Sequence, residues 1–378
     1  MRKIGKIERD HYERGRSKVD VSKADDVGIY LGIDIGATKT LILAASESGD
    51  MLRGIKILTR EEPGEHVKAL TAAVERLLVA AGRKDIEVEG GALKAKAVTR
   101  AGANGVDLRC TGNLRYTGDL RYTEDLRCAD LRCIRGIGIC CPGPVDPVRG
   151  VVVSPPNLPH WRDFPLVKIL KDRYGCPVKM ENDADAAGLA EYHYGAGRGS
   201  RLMVYMTVST GVGSGIIRDG EVVRGANGAH PELGHHVVDP SGPMCSCGCR
   251  GCLEALISGN SIRRNYGVSP EEADDPAIWG EVGRWLGVGL GNVAAAIVPE
   301  VIVIGGGVAK AGERLLGPAR DYLNTSIRMV SVPRVVLAEL GDLIGGIGAL
   351  AIIMGPAIKV DVARPVDIIS EYGVGGVK

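Results

Sequence analysis

The run Gly234-His235, nine further residues, then Cys245-Ser-Cys247-Gly-Cys249-Arg-Gly-Cys252-Leu-Glu254 constrains this 378-residue chain more than any other feature. Three thiolates and one imidazole at this spacing satisfy a tetrahedral Zn²⁺ with no open position. A metal held by His235, Cys245, Cys247 and Cys252 is therefore expected to be structural. Four cysteines are a rival ligand set, which would free His235 for another role. Disulfides are the weaker reading, because Cys245 and Cys247 lie too close in sequence to pair comfortably. Four of the ten cysteines fall within these eight residues, and the N-terminus is charged throughout with no apolar signal region, so metal ligation comes before disulfides.

Around this knot the chain reads as α/β. Strand-like runs such as VGIYLGIDIG, TLILAASES, IRGIGICC and VIVIGGG alternate with helical patterns such as GEHVKALTAAVERLLVAAG, ADAAGLAEYHYGAG and IWGEVGRWLGVGLGNVAAAI. LMVYMTVSTGVGSGIIRDGEVV reads as one long hairpin turning at Asp219-Gly220. The length suggests two or three domains. A net charge of +1 excludes a global field that would draw the chain to nucleic acid or anionic lipid, and no stretch is apolar enough to span a membrane, so a cytoplasmic location is expected. Residues 1–27 read as a charged arm. The five Leu-Arg pairs at 108, 114, 120, 126 and 131 read as a repeat-generated surface insertion over 104–133 that carries no site.

Two strand-to-turn corners are dense in glycine and hydroxyls. At the first, Asp34-Ile-Gly36-Ala-Thr38-Lys39, the glycine lets backbone N–H groups approach a phosphate, Thr38 and Lys39 can donate to its oxygens, and Asp34 can orient Mg²⁺ through water. A tight turn with a solvated Asp would look the same. The second, Thr207-Val-Ser209-Thr210-Gly211-Val-Gly213, repeats the chemistry, so that two corners could clamp a polyphosphate. Gly305-Gly306-Gly307 would let a flat adenine ring come close to the backbone. The absence of GxxxxGK[ST] excludes a simple P-loop.

Taken in order, DIGATK, PGPVD with PPNLPHW, ENDADAA, STGVGSG, PELGH, CSCGCRGCLEA and VIVIGGG resemble the ROK family of sugar kinases and sugar-responsive repressors, over about residues 28 to 355. The resemblance implies a two-lobed actin-like ATPase and hexokinase (ribonuclease H-like) fold with the active site in the cleft. The smaller lobe would comprise 28–199 plus 344–378, and the larger lobe 200–343 with the zinc knot. It implies ATP-dependent phosphorylation of the 6-hydroxyl of glucose or a related hexose, with Asp183 as general base. Asn157, Asn182, Asp183, Glu232, His235 and Glu254 would hold the sugar. Asp34, Gly36, Thr38, Lys39, Thr210, Gly211, Gly213, Gly305, Gly306 and Gly307 would hold the nucleotide and its Mg²⁺. His235 would serve zinc and sugar with its two ring nitrogens. An N-acetylhexosamine kinase, a fructokinase and a repressor are the alternatives; against the last, only 27 residues precede the first strand. A homo-oligomer, dimer or tetramer, is expected by analogy alone. His230-Pro231 departs from the small residues more usual before Glu232, and Asp183 and Asn182 also read as helix N-caps.

Overall fold

The computed structural model describes residues 28–80, 86–89, 92–95, 133–226, 228–361 and 366–371. The N-terminal arm and all of the 104–133 repeat except Cys133 lie outside these residues. The β-branched runs pair first: β1 (Ile29–Ile35), β2 (Lys39–Ser46) and β3 (Met51–Leu58) form an antiparallel meander. Helix α1 (Pro63–Ala80) covers one face of it with Leu70, Val74 and Leu77, all fully buried against Ile33 and Ile42. A short pair, β4 (Ile86–Glu89) and β5 (Ala92–Ala95), follows. Then β6 (Ile134–Cys141) docks parallel to β1. After the small ladder of β7 (Val145–Asp146) and β8 (Val151–Val152) and helix α2 (Leu166–Tyr174), β9 (Val178–Asn182) joins β6 in parallel and leads straight into α3 (Asp183–Tyr194).

The second sheet starts with β10 (Leu202–Val208), β11 (Val212–Arg218) and β12 (Glu221–Val222). Here the expected hairpin is corrected. Val208 pairs with Val212, so the tight turn is Ser209–Gly211, while Asp219-Gly220, both at positive φ (49° and 86°), form a second turn into β12. Helices α4 (Leu253–Ile257), α5 (Gly259–Tyr266) and α6 (Pro276–Ile297) precede β13 (Val301–Gly305). Helix α7 (Glu313–Ser326) precedes β14 (Arg334–Leu337). The sheet order is β12-β11-β10-β13-β14. The chain returns through α8 (Ile344–Met354) and β15 (Ile368–Ser370), completing the first sheet as β15-β3-β2-β1-β6-β9.

Helices α3 and α8 pack between the two sheets. Their small residues permit this: Ala187 and Ala190 of α3 and Ile347, Leu350 and Ala351 of α8 share one core with Leu43 of β2 and Met203, Tyr205 and Ile217 of β10 and β11. A Cβ on Gly138 would collide with the Ala349 carbonyl, and one on Gly348 with the Ala186 carbonyl, so glycine is what lets α8 press on sheet and helix at once. The β9–α3 junction, where Asn182 and Asp183 stand, is thereby held at the boundary between the two sheets. Among the described residues no helix is long and apolar enough to cross a membrane.

Candidate active site

Asn182 caps α3. Its Oδ1 accepts the N–H of Ala184 at 2.8 Å, and the residue is 5% exposed. Asp183 is the first helical residue. Its Oδ1 takes the same N–H at 2.8 Å, and its side chain is open to solvent on one side while protein crowds it on the others. That crowding, followed by the negative charge of Asp34, pushes its carboxyl up to about 6, against the pull of the Ala184 N–H. Asp34 ends β1 and is raised chiefly by burial, offset by the Cys140 thiol, which donates to its Oδ1 at 3.3 Å, and by Lys56. One strand end from the first sheet and one helix start thus face each other as two carboxylates, both ill at ease as anions, at the end of β1 where the Gly36 turn begins.

The first glycine turn is held from beneath. Gly36 N–H bonds Lys39 O at 2.9 Å, and Thr59 N–H bonds Thr38 O at 3.0 Å; Gly36 is partly buried, while the side chains of Thr38 and Lys39 are exposed. A directed chain supports it. Arg60 N–H donates to His66 Nδ1 at 3.3 Å, which fixes the ring proton on Nε2, 3.2 Å from Thr40 Oγ1. Thr40 Oγ1 lies 2.9 Å from Thr59 Oγ1, and Thr59 donates to Gly36 O at 2.8 Å, so every proton runs toward the turn. His66 is completely buried, packs on Trp161 with ring centroids 5.2 Å apart, and is lowered to about 4, by burial and then by Arg60. An unfolded His titrates near 6.5, so between about 6.5 and 4 only the unfolded chain gains the proton, and stability falls as pH falls through that window. We expect the stability difference between wild type and His66→Gln to shrink by about 3 kcal/mol from pH 7 to pH 4 in urea titrations. A pH-independent difference would show that His66 does not stay neutral.

The second corner is tied to the zinc-type knot. Ser209 N–H bonds Gly211 O at 2.8 Å, and Glu254 Oε2 accepts Val212 N–H at 2.9 Å and fills the space a side chain on Gly211 would need. Glu254 Oε1 accepts Ser246 Oγ at 3.2 Å, so one carboxylate bridges the turn and the knot. Thr210 is exposed beside this turn, and Gly213 packs against Ala184 of α3. The three glycines after β13 are not equivalent. A Cβ on Gly305 would strike the Tyr205 hydroxyl and one on Gly306 (φ 91°) the Val208 carbonyl, so their missing side chains serve strand packing. A Cβ on Gly307 would meet only Ser209 Oγ, at an ordinary 3.7 Å.

In the knot, the ligand atoms of His235, Cys245, Cys247 and Cys252 lie within 4.8 Å of one another. Cys247 Sγ is 3.5 Å from Cys252 Sγ, and Cys245 Sγ is 3.5 Å from His235 Nδ1, separations that four ligands at ~2.0–2.3 Å from a tetrahedral ion would take. The donor set fits Zn²⁺. Nδ1 is the ring nitrogen turned to the thiols. Cys249 is exposed and outside the cluster. Glu232, half exposed, accepts His235 N–H through its carbonyl at 3.0 Å. Asn157 is exposed on the loop after Pro155-Pro156 and makes no hydrogen bond among the described residues. Sequence reasoning passed over Asp185, two residues beyond Asp183 in ENDADAA, and the His66 chain. Neither carries a local signal, since both are defined by what packs on them.

The ROK family model matches residues 124–355. The glucokinase of Thermotoga maritima is 38% identical over 250 residues, 57% of this chain and 78% of its own. The xylose repressor of Bacillus spizizenii is 30% identical over 206 residues, 51% of this chain and 53% of its own. The crystal structure of the ROK hexokinase from Thermus thermophilus superposes with a TM-score of 0.64 at 33% identity, covering 85% of this chain and 96% of that one. The fold is the two-lobed actin-like ATPase and hexokinase fold, and the chain belongs to the ROK family.

Proposed function

We propose that this protein is an ATP-dependent hexose kinase acting on the 6-hydroxyl of glucose or a close relative. The observation that carries the reading is the Asp183 carboxylate, exposed and raised to about 6, within the field of Asp34 just before the Gly36 turn. A base with a pKa just below neutral is ionised at pH 7 yet basic enough to take a proton in the transition state. Asp183 accepts the proton of the sugar hydroxyl as its oxygen bonds the γ-phosphorus and the bond to the β-phosphate oxygen breaks, releasing ADP. Asp34 would hold the water shell of the Mg²⁺ that accompanies ATP, whose charge would offset that of the phosphates. Asn182, Glu232, His235 Nε2 and Glu254 orient the sugar, with Asn157 closing on it from its loop. His235, Cys245, Cys247 and Cys252 would hold a structural zinc, which would fix the imidazole without entering the reaction. ATP as donor is consistent with a cytoplasmic enzyme.

The repressor reading is disfavoured because the groups a kinase needs, Asp34, Lys39, Asp183 and the Ser209–Gly211 turn, are all present. The test is a coupled assay with ATP over glucose, mannose, fructose, N-acetylglucosamine and N-acetylmannosamine. We expect glucose to give the highest kcat/KM. A preference for an N-acetylhexosamine or fructose would move the assignment within the kinases, and no turnover on any of these sugars would return the chain to the sugar-responsive regulators.

A further inference from the structure

Asp185 is fully buried, and neither of its carboxylate oxygens has a hydrogen-bond partner. A complementary group stands beside it in His230, whose Nδ1 lies 3.9 Å from Asp185 Oδ2 and is itself buried and unpartnered. A buried carboxyl and a buried ring nitrogen left facing each other across less than 4 Å are each costly alone, and a small rotation of either closes the bond. The neighbouring charges are already committed, since Arg224 is ion-paired with Glu181.

The other end of the imidazole points the opposite way. His230 Nε2 is 3.5 Å from Glu232 Oε1. A Cβ on Gly143 would lie 2.9 Å from Asn182 Nδ2 and 3.8 Å from His230 Nε2, so the bare glycine keeps a small space open on which an amide, an imidazole and a carboxylate converge. Two of those three groups, Asn182 and Glu232, are the ones assigned to the sugar above.

We propose that His230 is a sugar-contacting residue that sets specificity, its ring oriented by the carboxyl group of Asp185, and that it reads a hydroxyl of the hexose. The proposal rests on the sugar-kinase reading of this cleft. Burial, followed by the charge of Glu181, raises Asp185 to about 8, so near neutrality it is a carboxylic acid that donates to Nδ1. The ring proton then stays on Nε2, where it supplies a donor in a pocket whose other side chains are mainly acceptors. Asp185 is a positioning residue and touches no substrate.

The test is a cycle between protein and sugar. Wild type and His230→Ala are compared on glucose and on its 1-, 2-, 3- and 4-deoxy analogues. We expect His230→Ala to lower kcat/KM for glucose by roughly tenfold or more, with the KM for ATP within about twofold of wild type. On one deoxy sugar the penalty should vanish, because the hydroxyl that His230 reads is already missing. Asp185→Asn retains a partner for Nδ1 and should keep most of the activity, whereas Asp185→Leu, free of the buried polar group, should melt no lower than wild type yet show the His230→Ala pattern. An equal penalty on every deoxy sugar would overturn the proposal, and so would an Asp185→Leu enzyme with the wild-type profile. If wild type phosphorylates no hexose, the kinase reading falls first; the same panel measured by calorimetric binding then still decides whether His230 touches the sugar.

Discussion

Asp183→Asn should lower kcat on the hexose by roughly 10²–10⁴, the usual contribution of a positioned general base, while sugar binding and thermal stability stay near wild type. The structure separates this role from helix capping. Asn182 already occupies the N-cap and accepts the Ala184 N–H, and an Asn at 183 can still offer a carbonyl oxygen to the same donor. The pH dependence gives a second readout. With its carboxyl raised to about 6, Asp183 is protonated below that value and cannot accept the hydroxyl proton, so wild-type kcat/KM should rise with pH through about 6. The Asn variant should lack that limb. For stability the sign is opposite to that of His66. A carboxyl whose folded pKa is raised binds its proton more tightly when folded, so it opposes folding as pH rises from about 4 through 6. The Asn variant should therefore melt at or slightly above wild type at pH 7 and lose that advantage near pH 4. Retention of more than about a tenth of wild-type kcat would assign Asp183 to structure and leave the base unnamed.

How much of this was legible in the sequence follows the range of each interaction. The strands, the long helices and the glycine corners are local patterns, and they stand where periodicity put them. The single hairpin was misread because Asp219-Gly220 is the stronger local turn signal, while Ser209-Thr210-Gly211 closes tightly through the pairing of Val208 with Val212, which no local preference announces. At Gly305 and Gly306 the strand packing itself demands glycine, because Tyr205 and the Val208 carbonyl of the neighbouring strand occupy the space a side chain would need, a requirement the local run of glycines does not announce. The deepest omissions are the buried polar groups. His66 lies 26 residues from Thr40, and it becomes the root of a proton-ordered chain only when α1 folds onto β2 and β3. His230 stood out as an unusual residue before Glu232, yet its meaning depends on Asp185, whose two unpartnered oxygens exist only once α3 packs against the second sheet.

Removal of the knot's metal should cost the sugar site as a whole, and the structure shows why. Between His235 and Cys252 the loop buries little that is apolar: Cys245 joins Cys252 and Ala255 in a separate three-residue cluster, Val238 is partly buried against the second core, and the loop is otherwise held by backbone bonds such as Cys245 N–H to Cys249 O at 2.8 Å and Gly251 N–H to Pro243 O at 2.8 Å. With so little burial there, an ion held by His235, Cys245, Cys247 and Cys252 would carry much of the fold of the segment, as in small isolated modules where structural Zn²⁺ contributes on the order of 10 kcal/mol. Three of the elements proposed to hold the sugar hang from it. His235 is itself a ligand, the Glu232 carbonyl is tied to the His235 N–H, and α4 with Glu254 begins at the residue after Cys252. Glu254 in turn holds the Val212 N–H beside the Ser209–Gly211 turn proposed for the nucleotide, so the damage should spread to that side in weaker form. We expect about one zinc per chain by elemental analysis. Cys252→Ser should lose that zinc and show no measurable glucose binding by calorimetry, with ATP binding reduced but present. Cys249→Ser, outside the cluster and exposed, should match wild type in both, which controls for thiol loss in general. A metal-free protein that binds glucose with full affinity would show instead that backbone bonds alone hold His235 and Glu254 in place.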